Sequence, residues 1–280
     1  MERNMKTLKA LHMNSVRDLN LRTSLKMIHE SGFGGVELNV IRLRNFLSAG
    51  YSYTDIKDLL AECNLVPICI NDIFGVESDK PEEQKRVFSE MEYFAPLAQA
   101  IGCKTLQVCP LEGLNMLSWP EARRIIAENI GRLAQIGEPY GVRIQIEPVV
   151  WGQINSLSRC LEVIDEIGSD NTGVSVDLWH FHAGRATTPD DVAKLDKDLI
   201  CNIHFCDGKA PGPNESWDEE LQRAFYPGQG DIPLREYADA IKATGYDGPW
   251  SAELISRKHW EDDSREVLRR LYVDLCDYAD

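Results

Sequence analysis

Residues 138–148 read EPYGVRIQIEP, and this short stretch decides the fold. It leaves the polar end of an amphipathic segment and turns on Gly141, as a helix does when the chain passes into a left-handed conformation. It then runs apolar through Val142, Ile144 and Ile146 and stops on a glutamate followed by proline. Helix, glycine, short strand and polar strand end make one repeat. The phrase returns as HESGFGGVELNV (29–40), AQAIGCKTLQVCP (98–110), DEIGSDNTGVSVD (165–177) and KATGYDGPWSAEL (242–254), and as AECNLVPICIND (61–72) without the glycine. Gly32, Gly102, Gly141, Gly168 and Gly245 fall where a helix must turn before its strand. LKALHMN (8–14) and LICNIHF (199–205) complete eight strands, ending near residues 14, 39, 70, 109, 147, 177, 204 and 253. A spacing of roughly 25 to 50 residues suits βα units with right-handed crossovers. The sequence therefore predicts an α/β chain folded as one (β/α)₈ TIM barrel spanning residues 1–280. Between strands, Leu157, Leu161, Ile164 and Ile167 form one apolar stripe, and Thr188-Pro189-Asp190 reads as a helix start.

Composition narrows the function. Thirty basic against 45 acidic residues leave a formal charge of −15, a field that repels polyanions. Nucleic acid and anionic membrane are poor partners for such a surface. The opening MERNMKTLKALHMNS lacks the apolar core of a leader, and nowhere do ~18 apolar residues run together, so a cytoplasmic location is expected. The eight cysteines form no CxxC pair and several sit in apolar runs, which suits reduced core thiols rather than disulfides or a thiolate zinc site.

Four strands in the second half end on unusual residues: RIQIEP on Glu147, TGVSVDLWH at Asp177, ICNIHFCD at His204 and PWSAELI at Glu253. A single acid at a strand end is more often a cap or an ion-pair partner. Four hard ligands on strands of one barrel shift that balance, because burying several carboxylates together is costly without a cation among them. The reading is a mononuclear site for one divalent metal. Carboxylates with one imidazole favour Mn²⁺ first, with Mg²⁺ or Co²⁺ close behind and Zn²⁺ admissible. Such a site supports removal of a weakly acidic C–H proton beside a carbonyl, with two carboxylates taking and returning it. Glu147 and Glu253, separated by two strands, are placed for that exchange on opposite sides of a substrate. His180, three residues after Asp177, is open between substrate contact and orienter of a ligand. His182 reads as structural.

Between Asp207 and Pro233 the chain carries four prolines and four glycines. Because this stretch (208–232) follows the His204 strand, it belongs over the C-terminal mouth, where such barrels hold their chemistry. Arg223 and Lys209 put cations on it, and Arg223 is the candidate for holding developing negative charge or a distal hydroxyl. His12, the Asn71-Asp72 pair, Trp151 and Trp179 read equally as mouth or packing residues, and Arg269-Arg270 as a solvated helix face.

EPYGVRIQIEP, VDLWHFHAG, IHFCD, YPGQGDIPL and SAELI occur in this order, so that the chain resembles the xylose isomerase-like TIM-barrel superfamily of sugar isomerases and epimerases. Over residues 100–275 it is most similar to 2-keto-myo-inositol isomerase-like proteins, with a weaker match through the first three strands. The resemblance implies a metal held by Glu147, Asp177, His204 and Glu253, a DxxH spacing filled by Asp177 and His180, and a small keto sugar or cyclitol as substrate. It leaves open an isomerase or epimerase, a lyase on the same scaffold, and homo-oligomeric or hetero-subunit assembly. The lyases in view are an inosose or dehydroshikimate dehydratase and the barrel subunit of an enzyme that eliminates an aglycone from a 3-keto-glycoside. A lyase needs an extra acid, for which Lys209, Asp207 or His180 are candidates. Abasic-site nucleases share the fold but add histidine ligands. The second and third strands here end in ELNV and ICIND, without one.

Overall fold

The computed structural model describes residues 7–280. Eight strands, β1 (Lys9–His12), β2 (Gly35–Asn39), β3 (Val66–Phe74), β4 (Thr105–Cys109), β5 (Arg143–Ile146), β6 (Thr172–Asp177), β7 (Ile200–Phe205) and β8 (Trp250–Ala252), pair in chain order. All pairs are parallel, and β8 returns to β1 to close the barrel. The (β/α)₈ expectation holds, with differences at two strand ends. β1 stops at His12 because the Asn14 N–H turns back to His12 Nδ1, opening a short 3₁₀ turn over Met13–Val16. β3 runs on to Phe74, across a cis Asn71–Asp72 peptide bond and a register shift against β4 between Ile70 and Ile73.

The glycine punctuation behaves as its residue type requires. All five anticipated positions have positive φ, from 61° at Gly168 to 103° at Gly32. In the repeat that lacks glycine, Asn64 takes the left-handed turn at φ 49°. Asparagine tolerates that conformation better than other residues with a side chain. Thr188 caps the short helix Pro189–Val192 through a reciprocal bond with Asp191, as its spacing predicts. The stripe on the helix Leu157–Ile167 is rotated slightly: Leu157, Cys160, Val163 and Ile164 are buried, while Leu161 and Ile167 pack at the edge.

Strand periodicity sorts the barrel wall. Ile144, Ile146, Val174, Val176 and Ile203 are buried in the hydrophobic core. The alternate positions carry Gln145, Ser175, Asn202 and Ser251, all buried, each two residues before Glu147, Asp177, His204 and Glu253. A period of two puts each pair on one face, so the four candidate ligands stand above a polar layer. All eight cysteines are free, and burial pushes the Cys103 thiol up to about 12, which keeps it protonated. Among the described residues no helix is long and apolar enough to cross a membrane.

Candidate metal centre

Parallel pairing carries the four side chains to one place. Asp177 and His204 are direct partners in the β6–β7 register. Glu147 and Glu253 lie one residue past β5 and β8, yet their N–H groups still donate to the neighbouring strands, to Val108 O and Phe205 O, each at 3.0 Å. The sheet thus fixes all four backbones at the C-terminal mouth. Ligand atoms of Glu147, Asp177, His204 and Glu253 lie within 4.8 Å of one another, and all four residues are buried. His204 Nδ1 is 2.7 Å from Glu147 Oε1 and 3.6 Å from both Asp177 Oδ2 and Glu253 Oε2.

The opposite ring nitrogen explains why Nδ1 faces the carboxylates. His204 Nε2 lies 3.1 Å from Glu37 Oε2, which also accepts from Asn71 Nδ2 at 2.8 Å. A carboxylate that accepts a hydrogen bond from Nε2–H fixes the tautomer and leaves the Nδ1 lone pair for a cation. Glu147 is held in the same manner: its Oε2 accepts from Gln107 Nε2 at 3.0 Å and from the Cys109 thiol at 3.1 Å. Gln107 also donates to Asp72 Oδ1 at 3.0 Å, tying β3 into the network.

Electrostatics separates the carboxyls. Burial pushes Glu147 up, but the adjacent His204 outweighs it and holds the group below its ordinary value. Burial likewise works against ionised Asp177, yet Arg223 and then His180 bring it well below. At Glu253 burial prevails over Arg223 and His12, and the carboxyl is raised. Four buried carboxylates, counting Glu37, face one guanidinium and the imidazoles of His204, His12 and His180. That excess of negative charge, with three oxygen donors and one nitrogen converging, fits a divalent cation. The flanking thiols do not compete, because burial raises both Cys109 and Cys206 well above their ordinary values.

Arg223 is buried, and its Nη2 bonds to Asp177 Oδ2 at 2.9 Å and to Glu253 Oε2, while Nη1 is 3.5 Å from Glu219. The covering loop reaches it there because Asp207 staples the loop's two ends. The Asp207 carboxylate accepts from the N–H groups of Gly208, Gly228, Gly230 and Ile232 at 2.8 to 3.4 Å. A Cβ on Gly230 would sit 2.2 Å from Asp207 Oδ1, so the staple requires glycine. Asp207 is therefore occupied by backbone donors, and Lys209 is half-exposed beside Asp231 at 3.8 Å.

His180 is buried, and its Nδ1 accepts from the Val150 N–H at 3.3 Å, which leaves its proton on Nε2. Burial lowers its basicity against the pull of Asp177 and Glu147. Trp151 and Trp179 stack edgewise on it at 5.3 and 5.0 Å, joined by Trp217 from the covering loop. His12 lies at the mouth, with Nδ1 3.3 Å from Glu253 Oε1 and its ring edge on His204. His182 is half-buried outside this cluster. Glu37, Gln107 and Trp217 were not singled out from sequence. Glu37 carried the same signal as the quartet, an acid set in an apolar strand.

The match to the family described as xylose isomerase-like TIM barrel covers residues 25–272. An inosose isomerase of Bacillus velezensis is 23% identical over 258 residues, which covers 91% of this chain and 90% of that protein. A 3-dehydroshikimate dehydratase of Pseudomonas aeruginosa is 26% identical over 240 residues, 84% of this chain but 36% of the larger protein. Among solved structures, the IOLI protein with a bound zinc atom superposes with a TM-score of 0.89 at 21% identity, covering 98% of both chains. D-Psicose 3-epimerase from Clostridium cellulolyticum H10 does so at 0.76 and 15% identity, again covering 98% of each. At these identities the structural likenesses speak for the fold, and the family match spans nearly the whole barrel: the chain belongs to the xylose isomerase-like TIM barrel family.

Proposed function

We propose that this protein is a divalent-metal-dependent isomerase or epimerase that removes a carbon-bound proton beside the carbonyl of a keto sugar or inosose and returns it to the neighbouring carbon or to the opposite face of the same one. The observation that carries the reading is the convergence of Glu147, Asp177, His204 and Glu253 within 4.8 Å, with His204 oriented by Glu37. The names of the relatives, an inosose isomerase above all, supply the substrate class. One divalent ion held by the four residues supplies positive charge to substrate oxygens that become negative as a carbon-bound proton leaves. Mn²⁺ suits the oxygen-rich donor set, and the zinc of the IOLI structure marks the alternative.

The chain's own groups do the rest. Glu147 and Glu253, at the ends of β5 and β8, flank a bound substrate; one takes the proton from a carbon and the other returns it, to the neighbouring carbon in an isomerase or to the other face of the same carbon in an epimerase. Arg223, between Asp177 and Glu253, holds these carboxylates in place and offers its remaining donors to a substrate oxygen. His180, protonated on Nε2, donates to a second oxygen. The tryptophans around it exclude water. A lyase outcome shares the first proton removal, and the dehydroshikimate dehydratase relatives favour keeping it as the second reading. With Asp207 occupied by its staple, His180 is the better placed acid for a leaving group.

The test is proton exchange in D₂O followed by NMR, with inososes and 3-keto-glucose as substrates. Glu147→Gln and Glu253→Gln each retain an oxygen donor but remove a proton acceptor. Turnover collapses in both, and C–H exchange survives only in the variant that keeps the first base. Full exchange and turnover in both variants would remove the two glutamates from the chemistry.

A further inference from the structure

Two cations have a claim on the same pair of oxygens. Arg223 Nη2 donates to Asp177 Oδ2 at 2.9 Å and to Glu253 Oε2. Those two atoms are also the ones turned towards His204 Nδ1, each 3.6 Å from it, where a metal held by His204 and Glu147 would find them. Two of the quartet's four donors are therefore shared with a positive charge carried by the covering loop. A carboxylate oxygen that coordinates a metal has less charge to offer a guanidinium, and like charges bound to the same oxygens repel strongly where water is excluded. Occupancy by one cation thus weakens the hold of the other, and linkage makes the effect reciprocal.

Arg223 is placed to let go. Its Nε is buried without a hydrogen-bond partner among the described residues, and Nη1 lies 3.5 Å from Glu219, so the grip on the quartet rests on Nη2. A second resting place is close by. Glu219 stands one helical turn back with its side chain partly exposed, and the guanidinium already lies over the Trp179 ring at 5.4 Å. Leaving Asp177 and Glu253 therefore costs Arg223 neither its last acidic partner nor its aromatic face. The loop around it depends on this anchor, because among the described residues the loop's only fully buried ion pairs are those of Arg223 with Asp177 and Glu253. Its outer anchors hold weakly: Glu220 pairs with Arg17 at 2.6 Å and with Arg257, and Asp218 with Arg257 at 3.4 Å, both arginines being exposed. Asp207 fixes the ends of the loop and leaves its middle untouched. Glu219 and Glu220 also line a cavity of about 900 Å³ at the barrel mouth, which gives this middle part room to move.

We infer that Arg223 and the divalent ion compete for Asp177 Oδ2 and Glu253 Oε2, so that metal loading drives Arg223 towards Glu219 and loosens residues 216–224 of the covering loop. The inference rests on the reading of the quartet as a metal site. Hydrogen exchange followed by mass spectrometry, with and without Mn²⁺, tests it on the whole chain. The reporters are the N–H groups of Gln222 and Arg223, bonded to Asp218 O and Glu219 O at 2.9 Å each. Ordinary ligand binding slows exchange throughout a protein, so the sign at the loop is decisive. With Mn²⁺ the loop amides exchange about tenfold faster, within the usual range of coupling between two sites, while the amides of Glu147 and Glu253 slow. Removing the competing charge in Arg223→Met tightens Mn²⁺ binding by about tenfold, read by titration against a chelator. Loop exchange that slows or stays unchanged in protein shown to bind Mn²⁺ would overturn the inference and leave the quartet standing, as would a methionine variant that binds Mn²⁺ no more tightly than wild type. Should that variant not fold, the sign of the wild-type exchange decides alone. No Mn²⁺ uptake by wild type sinks the metal reading of the quartet, and the competition with it.

Discussion

The two sides of the barrel mouth are built differently. On the β5–β8 side, Glu147, Asp177, His204 and Glu253 are buried and tied by short polar contacts to Glu37, Gln107 and Arg223. On the β1–β3 side the wall is an open cavity rimmed by exposed Ile41, Tyr51 and Phe74. A group in the first region cannot move without stranding a buried charge, whereas groups in the second are half in water already. The difference teaches that one barrel mouth can meet two constraints: one side is rigid because its buried charges must be paired, and the other carries no such network at its rim.

The sharpest way to break this contrast is Arg223→Ala. Removing one partner from a buried ion pair costs about 3 to 5 kcal/mol, because Asp177 and Glu253 lose their guanidinium. Metal-free protein should melt markedly lower, and metal loading should restore part of the loss by supplying charge. An unchanged melting temperature in the metal-free variant would show that the carboxylates do not depend on Arg223. A smaller effect is expected from Glu37→Gln, which weakens the acceptor for His204 Nε2 without touching the quartet. Metal affinity should fall by roughly 10- to 100-fold, the usual cost of an outer hydrogen-bond partner, with little change in fold. Titration with Mn²⁺ against a fluorescent chelator would measure it, and equal affinity would assign Glu37 to packing.

The smallest effect belongs to Glu219, where the two regions meet. Burial, only partly offset by Arg223, pushes its carboxyl up to about 7. The folded state thus holds this proton more tightly than the unfolded chain, whose value is near 4.5. The stabilisation is complete below that value and lost as pH rises through about 7. With its side chain 34% exposed, the effect is muted by solvent. Melting curves of metal-free wild type and Glu219→Gln across this window should diverge, wild type falling relative to the variant as pH rises. Parallel curves would show that Glu219 is solvated.

The quartet was legible in sequence because each member interrupts or ends an apolar strand with a group that has no packing reason to be there. Helix-to-strand glycines made the repeat countable, and the count gave the barrel. Glu37 carried the same signature in GVELN but stood in the half of the chain with no companion ligands, so nothing in one dimension paired it with His204, 167 residues away. The burial of Arg223 was not legible, since it depends on the course of a loop set by backbone donors converging on Asp207. The cavity was hidden for a different reason. It is a space between helices and a loop, and a sequence records residues rather than the gaps between them.

The central claim is that one divalent cation sits on Glu147, Asp177, His204 and Glu253. Elemental analysis after loading with Mn²⁺ and desalting tests it directly, in wild type and in Asp177→Ala. The account predicts about one ion per chain in wild type and far less in the variant, with D₂O exchange of the substrate lost in step. Equal metal content in the two proteins, none in either, or three ions per chain in wild type would contradict it.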